Sequence, residues 1–256
     1  MCKNYIKLAP ILGLILVAFG MYYSASFTPF MSTELKLHSK TLTDKKFLLG
    51  RFDYTQDSSF IKVPTKYASK QVYIKNEVFL KFKQMCTDAE KEGVQLLILS
   101  GTRSFKEQKA IWEKKWEHYI VKMDTLSCMK KILSYSSMPS TSRHHWGTDL
   151  DLNDLTNDYF NSGKGLKIYT WLKNNASKYG FCQVYDDKSK SQRTGYEMEK
   201  WHWSYLPLSS IYLEDYKAQI SYTDIEGFKG SYLAKHKSIK MIQNFVCGIN
   251  KSCLSN

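Results

Sequence analysis

The chain has 256 residues, enough for one large domain or two small ones with a buried hydrophobic core. A hydrophobic share of 43% and a charged share of 24% exclude a disordered chain, a collagen and a polytopic membrane protein. The formal net charge of +13 favours a polyanionic neighbour, such as nucleic acid, an anionic membrane surface or an acidic wall polymer, without choosing among them.

The first predicted element is an apolar segment at the N-terminus. Lys3 and Lys7 precede a mostly apolar, uncharged run over residues 8–20, which is typical of a signal peptide or a membrane anchor. Basic residues before such a segment predict that everything after it lies outside the cytoplasm. We therefore assign residues 1–26 to a signal peptide or anchor, and the polar residues 27–45 to a linker.

Residues 46–256 are interpreted as a single domain in which helices alternate with short strands. The spacing of apolar residues predicts helices over residues 75–91, 104–122 and 164–179. Short apolar or alternating runs predict strands over residues 94–99, 148–152, 181–185 and 201–205. Residues 123–143 read as a loop with a short helical piece, and a helical tail is expected from Leu206 onward. This order indicates an α+β fold, with a small and mostly antiparallel sheet flanked by helices.

The cysteines fit an exported protein. Cys247 and Cys253 bracket a segment short enough to close as a disulfide in an oxidising compartment. No Cys-x-x-Cys pair occurs, which argues against a thiolate zinc site.

Three separated segments carry the residue types that a catalytic zinc ion requires. They are Ser100 to Gln108, Ser142 to Asp151 and Glu199 to His202. Zinc in a hydrolase takes three protein ligands and leaves one position for water. His144, Asp151 and His202 would supply the ligands. Glu199 would remove the proton of the water and return it to a leaving amine.

The same segments resemble, in the same order, the signatures of the zinc D-alanyl-D-alanine carboxypeptidases of the VanY type, within the LAS metallopeptidases. Those signatures read S-G-Y-R-S-x-x-x-Q, then S-x-H-x-x-G-x-A-x-D, then E-x-W-H, and the similarity spans about residues 75–206. The resemblance implies a LAS-type zinc peptidase fold that holds one zinc ion on His144, Asp151 and His202, with Glu199 as the catalytic base. It also implies that Arg103 stabilises the oxyanion or holds the substrate carboxylate. Gln108 and Ser142 would line the substrate pocket.

The implied reaction is removal of the last D-Ala from a peptidoglycan stem peptide in the bacterial cell envelope. The positive charge would hold the protein near an anionic wall or membrane surface. Two alternatives stay open: L,D-carboxypeptidase or endopeptidase activity on the same polymer, and a zinc-containing wall-binding module without catalysis. Glu199 argues against the second, because a structural metal site needs no base. A nucleic-acid binder is excluded, because no basic helix or aromatic platform occurs and export conflicts with it.

Two positions depart from the signatures. Thr102 replaces the usual aromatic residue, and Asp149 stands where the family prefers a small one. Asp149 and Asp151 are two apart in a predicted strand, so both face the same side. Asp149 would compete as a ligand, hydrogen-bond a histidine or raise the charge cost of the pocket. The motif spacing favours Asp151 over Asp149, and His144 over the adjacent His145.

Overall fold

The computed structural model describes residues 42–254 of the chain. The predicted signal or anchor segment, and all but the end of the predicted linker, lie outside these residues. Within residues 42–254, no helix has both the length and the apolar character needed to cross a bilayer.

The described residues form seven α-helices and six strands, joined by short 3₁₀ turns. The helices are Lys45–Leu48 (α1), Asn76–Lys91 (α2), Phe105–Ile120 (α3), Thr125–Leu133 (α4), Gly163–Asn175 (α5), Lys188–Ser191 (α6) and Leu206–Gln219 (α7). The strands are Phe60–Lys62 (β1), Tyr73–Lys75 (β2), Ile98–Ser100 (β3), Asp149–Leu152 (β4), Phe181–Cys182 (β5) and His202–Tyr205 (β6).

The central sheet has four strands in the order β3-β4-β6-β5, and every neighbouring pair is antiparallel. Strands β1 and β2 form a separate antiparallel pair. The predicted α+β fold with a small antiparallel sheet is confirmed. In the register of β4 with β6, Asp151 lies opposite His202, so the sheet itself brings a carboxylate and an imidazole together.

Helix α3 begins where the sequence predicts, because local hydrogen bonds define its first turn. The Glu107 backbone N–H donates to Ser104 Oγ at 3.2 Å, and the Ser104 N–H donates to Glu107 Oε2 at 2.7 Å. This reciprocal capping satisfies backbone donors that the helix start leaves free. Arg103 is thereby placed in the turn between β3 and α3.

Two strands are shorter than predicted, because the other residues of the predicted segments form hydrogen bonds to groups outside the sheet. Over residues 94–99 only the last part is a strand, since the Val94 N–H donates to the Ala89 carbonyl at the end of α2. Over residues 181–185 the strand stops at Cys182, and the Tyr185 carbonyl instead accepts the Glu199 N–H at 2.9 Å.

Buried hydrophobic side chains form two clusters. The first, here called the sheet core, joins the strands to α2 and α5 and includes Ile74, Phe82, Leu150, Leu172 and Phe181. The second, here called the tail core, joins α3 and α4 to residues 206–254 and includes Trp112, Ile132, Leu213, Phe228 and Val246. The helical tail expected from Leu206 onward begins with α7. After α7 the tail forms part of this core and consists of short 3₁₀ and π turns.

The disulfide that the spacing of Cys247 and Cys253 would allow does not form. Cys253 pairs with Cys182 in β5, and Cys247 is free. The physical reason is a tertiary hydrogen bond: the Asn250 N–H donates to the Val184 carbonyl at 2.9 Å. This bond holds the end of the chain beside the residues that follow β5, so that Cys253 meets Cys182.

Candidate active site

Two imidazoles and one carboxylate from distant parts of the chain meet in the structure. Each of His144, Asp151 and His202 offers a ligand atom, and these atoms all lie within 4.8 Å of one another. His144 Nε2 is 3.4 Å from Asp151 Oδ2, and His202 Nδ1 is 3.2 Å from Asp151 Oδ1. All three side chains are buried. The structure thus brings together the three residues that the sequence singled out as metal ligands.

Each imidazole is oriented by the ring nitrogen that faces away from this cluster. His144 Nδ1 lies 2.7 Å from the Gly101 carbonyl oxygen, which can only accept, so Nδ1 carries the proton. His202 Nε2 lies 2.9 Å from Asp149 Oδ1 and donates to that carboxylate. His144 Nε2 and His202 Nδ1 are left as the ligand atoms. Metal-binding histidines are commonly fixed in this way.

Asp149 serves as a buried hydrogen-bond partner for His202. Its carboxylate also accepts from Arg143 Nε at 3.0 Å and from Thr148 Oγ1 at 2.6 Å. Burial raises the pKa of Asp149, but the charge of Arg143 and the bond from His202 outweigh it and hold the pKa far below its usual value. Of the three roles left open for Asp149, the geometry selects the one that orients a histidine.

The cluster fits a zinc ion. Two donors bound tetrahedrally at about 2.0–2.2 Å lie roughly 3.3–3.6 Å apart, close to the 3.4 and 3.2 Å seen here. Burial lowers the pKa of His202, but hydrogen bonds to Asp149 and Asp151 outweigh it and raise the pKa to about 9. The two carboxylates therefore favour positive charge at this position, which a metal cation would supply.

Glu199 lies beside the cluster. Its Oε2 is 3.5 Å from His202 Nδ1, and its backbone is fixed between Tyr185 and Gln183. Burial raises the pKa of Glu199 to about 8. A carboxyl group with a pKa near neutrality can both take up and release a proton during a reaction cycle.

The cluster opens into a cavity of about 1180 Å³. His144, Asp151, Glu199 and His202 line it, together with Arg103 and Gln108. Ser142 departs from the prediction that it lines the pocket. It is 1% exposed and is not among the lining residues, because its carbonyl accepts the His145 N–H and begins the buried turn that carries His144.

Arg103 is held by the two adjacent histidines. The Arg103 backbone N–H donates to the His144 carbonyl at 3.1 Å. The Arg103 backbone carbonyl oxygen lies 2.6 Å from His145 Nδ1. His145 Nε2 accepts from the Ser140 N–H at 3.2 Å, which leaves Nδ1 as the donor to Arg103. Burial lowers the pKa of His145 to about 3, so the ring is neutral. His145 thus bonds to protein groups through both ring nitrogens and positions the Arg103 turn.

Several cavity residues were not identified from the sequence, and three of them lie close to the site residues. Tyr185 places its ring 4.7 Å from the His202 ring, and Tyr196 and Lys115 also line the cavity. For Lys115 a signal existed: it follows Gln108 by seven residues, which puts both on one face of α3. In the structure both tyrosines lie outside helices and strands, and no motif of the sequence includes them.

The chain is similar in sequence to known proteins. The sequence profile of VanY, described as D-alanyl-D-alanine carboxypeptidase, matches residues 71–208, more than half of the chain. A D-alanyl-D-alanine carboxypeptidase of Enterococcus faecium is 29% identical over 177 residues, covering 68% of this chain and 49% of that protein. One of Enterococcus faecalis is 30% identical over 123 residues, covering 48% and 44%.

The chain spans about half the length of these curated relatives. Among solved structures, VanYB in complex with D-alanine-D-alanine aligns with a TM-score of 0.49 at 18% identity. That alignment covers 73% of this chain and 93% of VanYB.

Proposed function

Because the chain belongs to the VanY family of D-alanyl-D-alanine carboxypeptidases, we propose that it is an exported zinc peptidase that removes the C-terminal D-Ala of peptidoglycan stem peptides. One observation carries the proposal. The ligand atoms of His144, Asp151 and His202 converge next to the Glu199 carboxylate in a cavity large enough for a peptide end.

Each residue of the site has a separate role in the proposed hydrolysis. His144, Asp151 and His202 would hold zinc, which supplies Lewis-acid chemistry by polarising the scissile carbonyl and acidifying a water. Glu199 accepts the proton of the attacking water as the new C–O bond forms. It returns that proton to the amine of the released D-Ala as the C–N bond breaks. The Arg103 guanidinium stabilises the oxyanion or binds the substrate carboxylate.

The proposed location is the bacterial cell envelope, outside the cytoplasm. Support comes from the basic and apolar pattern of residues 1–26 and from the place where stem peptides occur. The net charge of +13 supports retention at an anionic wall or membrane surface. Fractionation of cells expressing the tagged full chain tests this part, and recovery in the cytoplasm would contradict it.

The central experiment measures products and metal together. Purified full-length protein is incubated with synthetic stem pentapeptide and tetrapeptide, and the products are weighed by mass spectrometry. We expect release of D-Ala from the pentapeptide, loss of activity with a chelator and recovery with Zn²⁺. Release from the tetrapeptide alone would establish the L,D alternative. If both peptides remain intact although the protein binds zinc, the result would favour the non-catalytic wall-binding module.

Substitution of Glu199 separates metal binding from hydrolysis. Glu199→Gln should keep zinc but lose about 10²–10⁴-fold in kcat, because proton transfer by a positioned carboxylate contributes that much. His202→Ala should lose both zinc and activity. Glu197→Gln is the matched control, because Glu197 is half-exposed and pairs with Lys188. Normal turnover by Glu199→Gln would remove the proposed mechanism.

A further inference from the structure

We propose that Lys115 determines specificity by binding, together with Arg103, the terminal carboxylate of the residue that is released. This inference rests on the proposed function. Lys115 lies outside the sequence signatures that the resemblance uses, and the geometry of the cavity wall points to it.

Helix α3 forms one wall of the cavity. Gln108, Ile111 and Lys115 line the cavity from this helix, and Arg103 lines it from the turn before the helix. Residues three and seven apart share one face of an α-helix, so the three side chains form a single row. The row therefore ends in a cation at Lys115, and a second cation, Arg103, precedes it.

The Lys115 ammonium group is fixed in this wall. Its Nζ hydrogen-bonds Ser136 Oγ, and the neighbouring Ser137 carbonyl accepts from Gln108 Nε2 at 2.7 Å. One short segment thus holds both side chains. Lys115 is also partly buried, which keeps its ammonium group from moving freely into solvent.

Within the described residues, neither cation of this wall forms an ion pair. Among residues 42–254, no carboxylate lies within ion-pair distance of Lys115 or Arg103. Arg103 Nε is buried and has no hydrogen-bond partner within the described part of the chain. Burial and the Arg103 charge lower the pKa of Lys115, while the Glu199 charge raises it. The Lys115 ammonium group therefore interacts electrostatically with both Arg103 and Glu199.

A carboxylate is the ligand that this wall fits. It has two oxygens and about four lone-pair sites, so a guanidinium fork and an ammonium group can bind it together. One anion between two cations also offsets their mutual repulsion. An internal peptide bond presents a neutral carbonyl in its place and leaves both cations unpaired. The wall thus favours cleavage at a chain end over cleavage within a peptide.

The test compares a pentapeptide that ends in a free carboxylate with the same peptide ending in an amide. Lys115→Met keeps the aliphatic stem and removes the charge. We expect it to raise KM for the acid about 10-fold, the loss of one charged hydrogen bond, and to leave kcat within about twofold. KM for the amide should stay unchanged. Lys115→Arg should restore most of the affinity for the acid, and Lys114→Met is the control, because Lys114 is exposed on the same helix.

Two results would overturn the inference: an unchanged KM for the acid, or equal rises in KM for acid and amide, which a merely structural role would produce. Thermal unfolding verifies that each variant is folded. Failure of the proposed function looks different, because wild-type protein would then cleave neither peptide. Calorimetric binding of D-Ala-D-Ala to Glu199→Gln protein, with and without Lys115→Met, still decides the inference in that case. Equal affinities would contradict it.

Discussion

The sheet core and the tail core support different parts of the site. Strands β4 and β6 of the sheet core carry Asp151 and His202, and they lie within residues 71–208, which match the family. The tail core packs against α3, which carries Gln108 and Lys115, and much of it comes from residues beyond the match. Two of the three candidate metal ligands therefore lie on strands of the sheet core, whereas the α3 wall of the cavity packs on the tail core. The two cores meet at the turn that carries His144, because Trp146 of that turn belongs to the tail core.

Specific contacts join the tail to α3. Trp112 Nε1 donates to the Lys229 carbonyl at 2.8 Å, and its ring lies 5.9 Å from the Phe228 ring in an edge-on arrangement. Gly230 lies against the Trp116 ring. Four predictions use this difference between the two cores.

Removal of residues 220–256 has the largest expected effect. The deletion takes away many buried side chains of the tail core: Ile220, Ile225, Phe228, Ala234, Ile239, Met241, Val246 and Ile249. Burial of a large apolar side chain contributes about 1.5–3 kcal/mol, so the summed loss is as large as the usual 5–15 kcal/mol stability of a domain. The truncated protein should show no cooperative thermal unfolding by circular dichroism. Tyr232→Ser, at an exposed tail position, should unfold like the wild type.

The disulfide between the tail and β5 should have the next largest effect. Cys182→Ser should lower the free energy of unfolding by about 4 kcal/mol, since the bond closes a separation of 71 residues. Cys247→Ser is the control and should behave like the wild type in urea unfolding. A reductant should destabilise the wild type and leave Cys182→Ser unaffected. The opposite pattern for the two cysteines would mean that Cys247 forms the bond.

A pair of tail glycines isolates the packing against α3. Gly230 has a φ of +80°, and an added Cβ would lie 2.3 Å from the Trp116 ring. Gly230→Ala should therefore lower the free energy of unfolding by about 2–4 kcal/mol, because backbone strain and overpacking add together. Gly227 has a φ of +86°, but its nearest atoms are 3.7 Å away, so Gly227→Ala should cost only the backbone part, about 1–2 kcal/mol. If urea unfolding gave the same loss of unfolding free energy for both variants, the Trp116 ring would be able to move aside without cost, and the prediction would be wrong.

His145 should give the smallest effect, confined to the Arg103 turn. His145→Leu removes the donor to Arg103 and the acceptor for Ser140, which should cost about 1–3 kcal/mol and raise KM. His145→Asn retains an amide donor near the position of Nδ1 and should recover part of both losses. His118→Asn, at an exposed position in α3, is the control. Identical KM values for the Leu and Asn variants would contradict a positioning role.

The parts of the fold that depend on local interactions were predictable from the sequence. Helices α2 and α3 follow from apolar spacing and from the cap at Ser104, both of which lie within the segment itself. The end of the strand predicted over residues 181–185 was not predictable, because it depends on a distant partner: the Tyr185 carbonyl accepts the Glu199 N–H. The pairing of Cys253 with Cys182 likewise requires knowledge of where the tail packs.

The candidate site shows the same division. The motifs identify His144, Asp151, Glu199 and His202, and the register of β4 with β6 brings two of them together. The role of Asp149 could be narrowed to three options, but only the contact with His202 selects one. Tyr185 was missed because its position beside His202 comes from the shape of the cavity, which no single segment contains. The helical spacing places Lys115 on the face of Gln108, but only the cavity shows that this face lines the site.

The link between Cys182 and Cys253 has a consequence for the order of folding. A ribosome releases the chain from its N-terminus onward, so the strands that bear Asp151 and His202 emerge before the partner of Cys182. Oxidation must then wait until Cys253 has also been made and both thiols have met an oxidant. Newly made protein would thus close the covalent link between β5 and the tail core late.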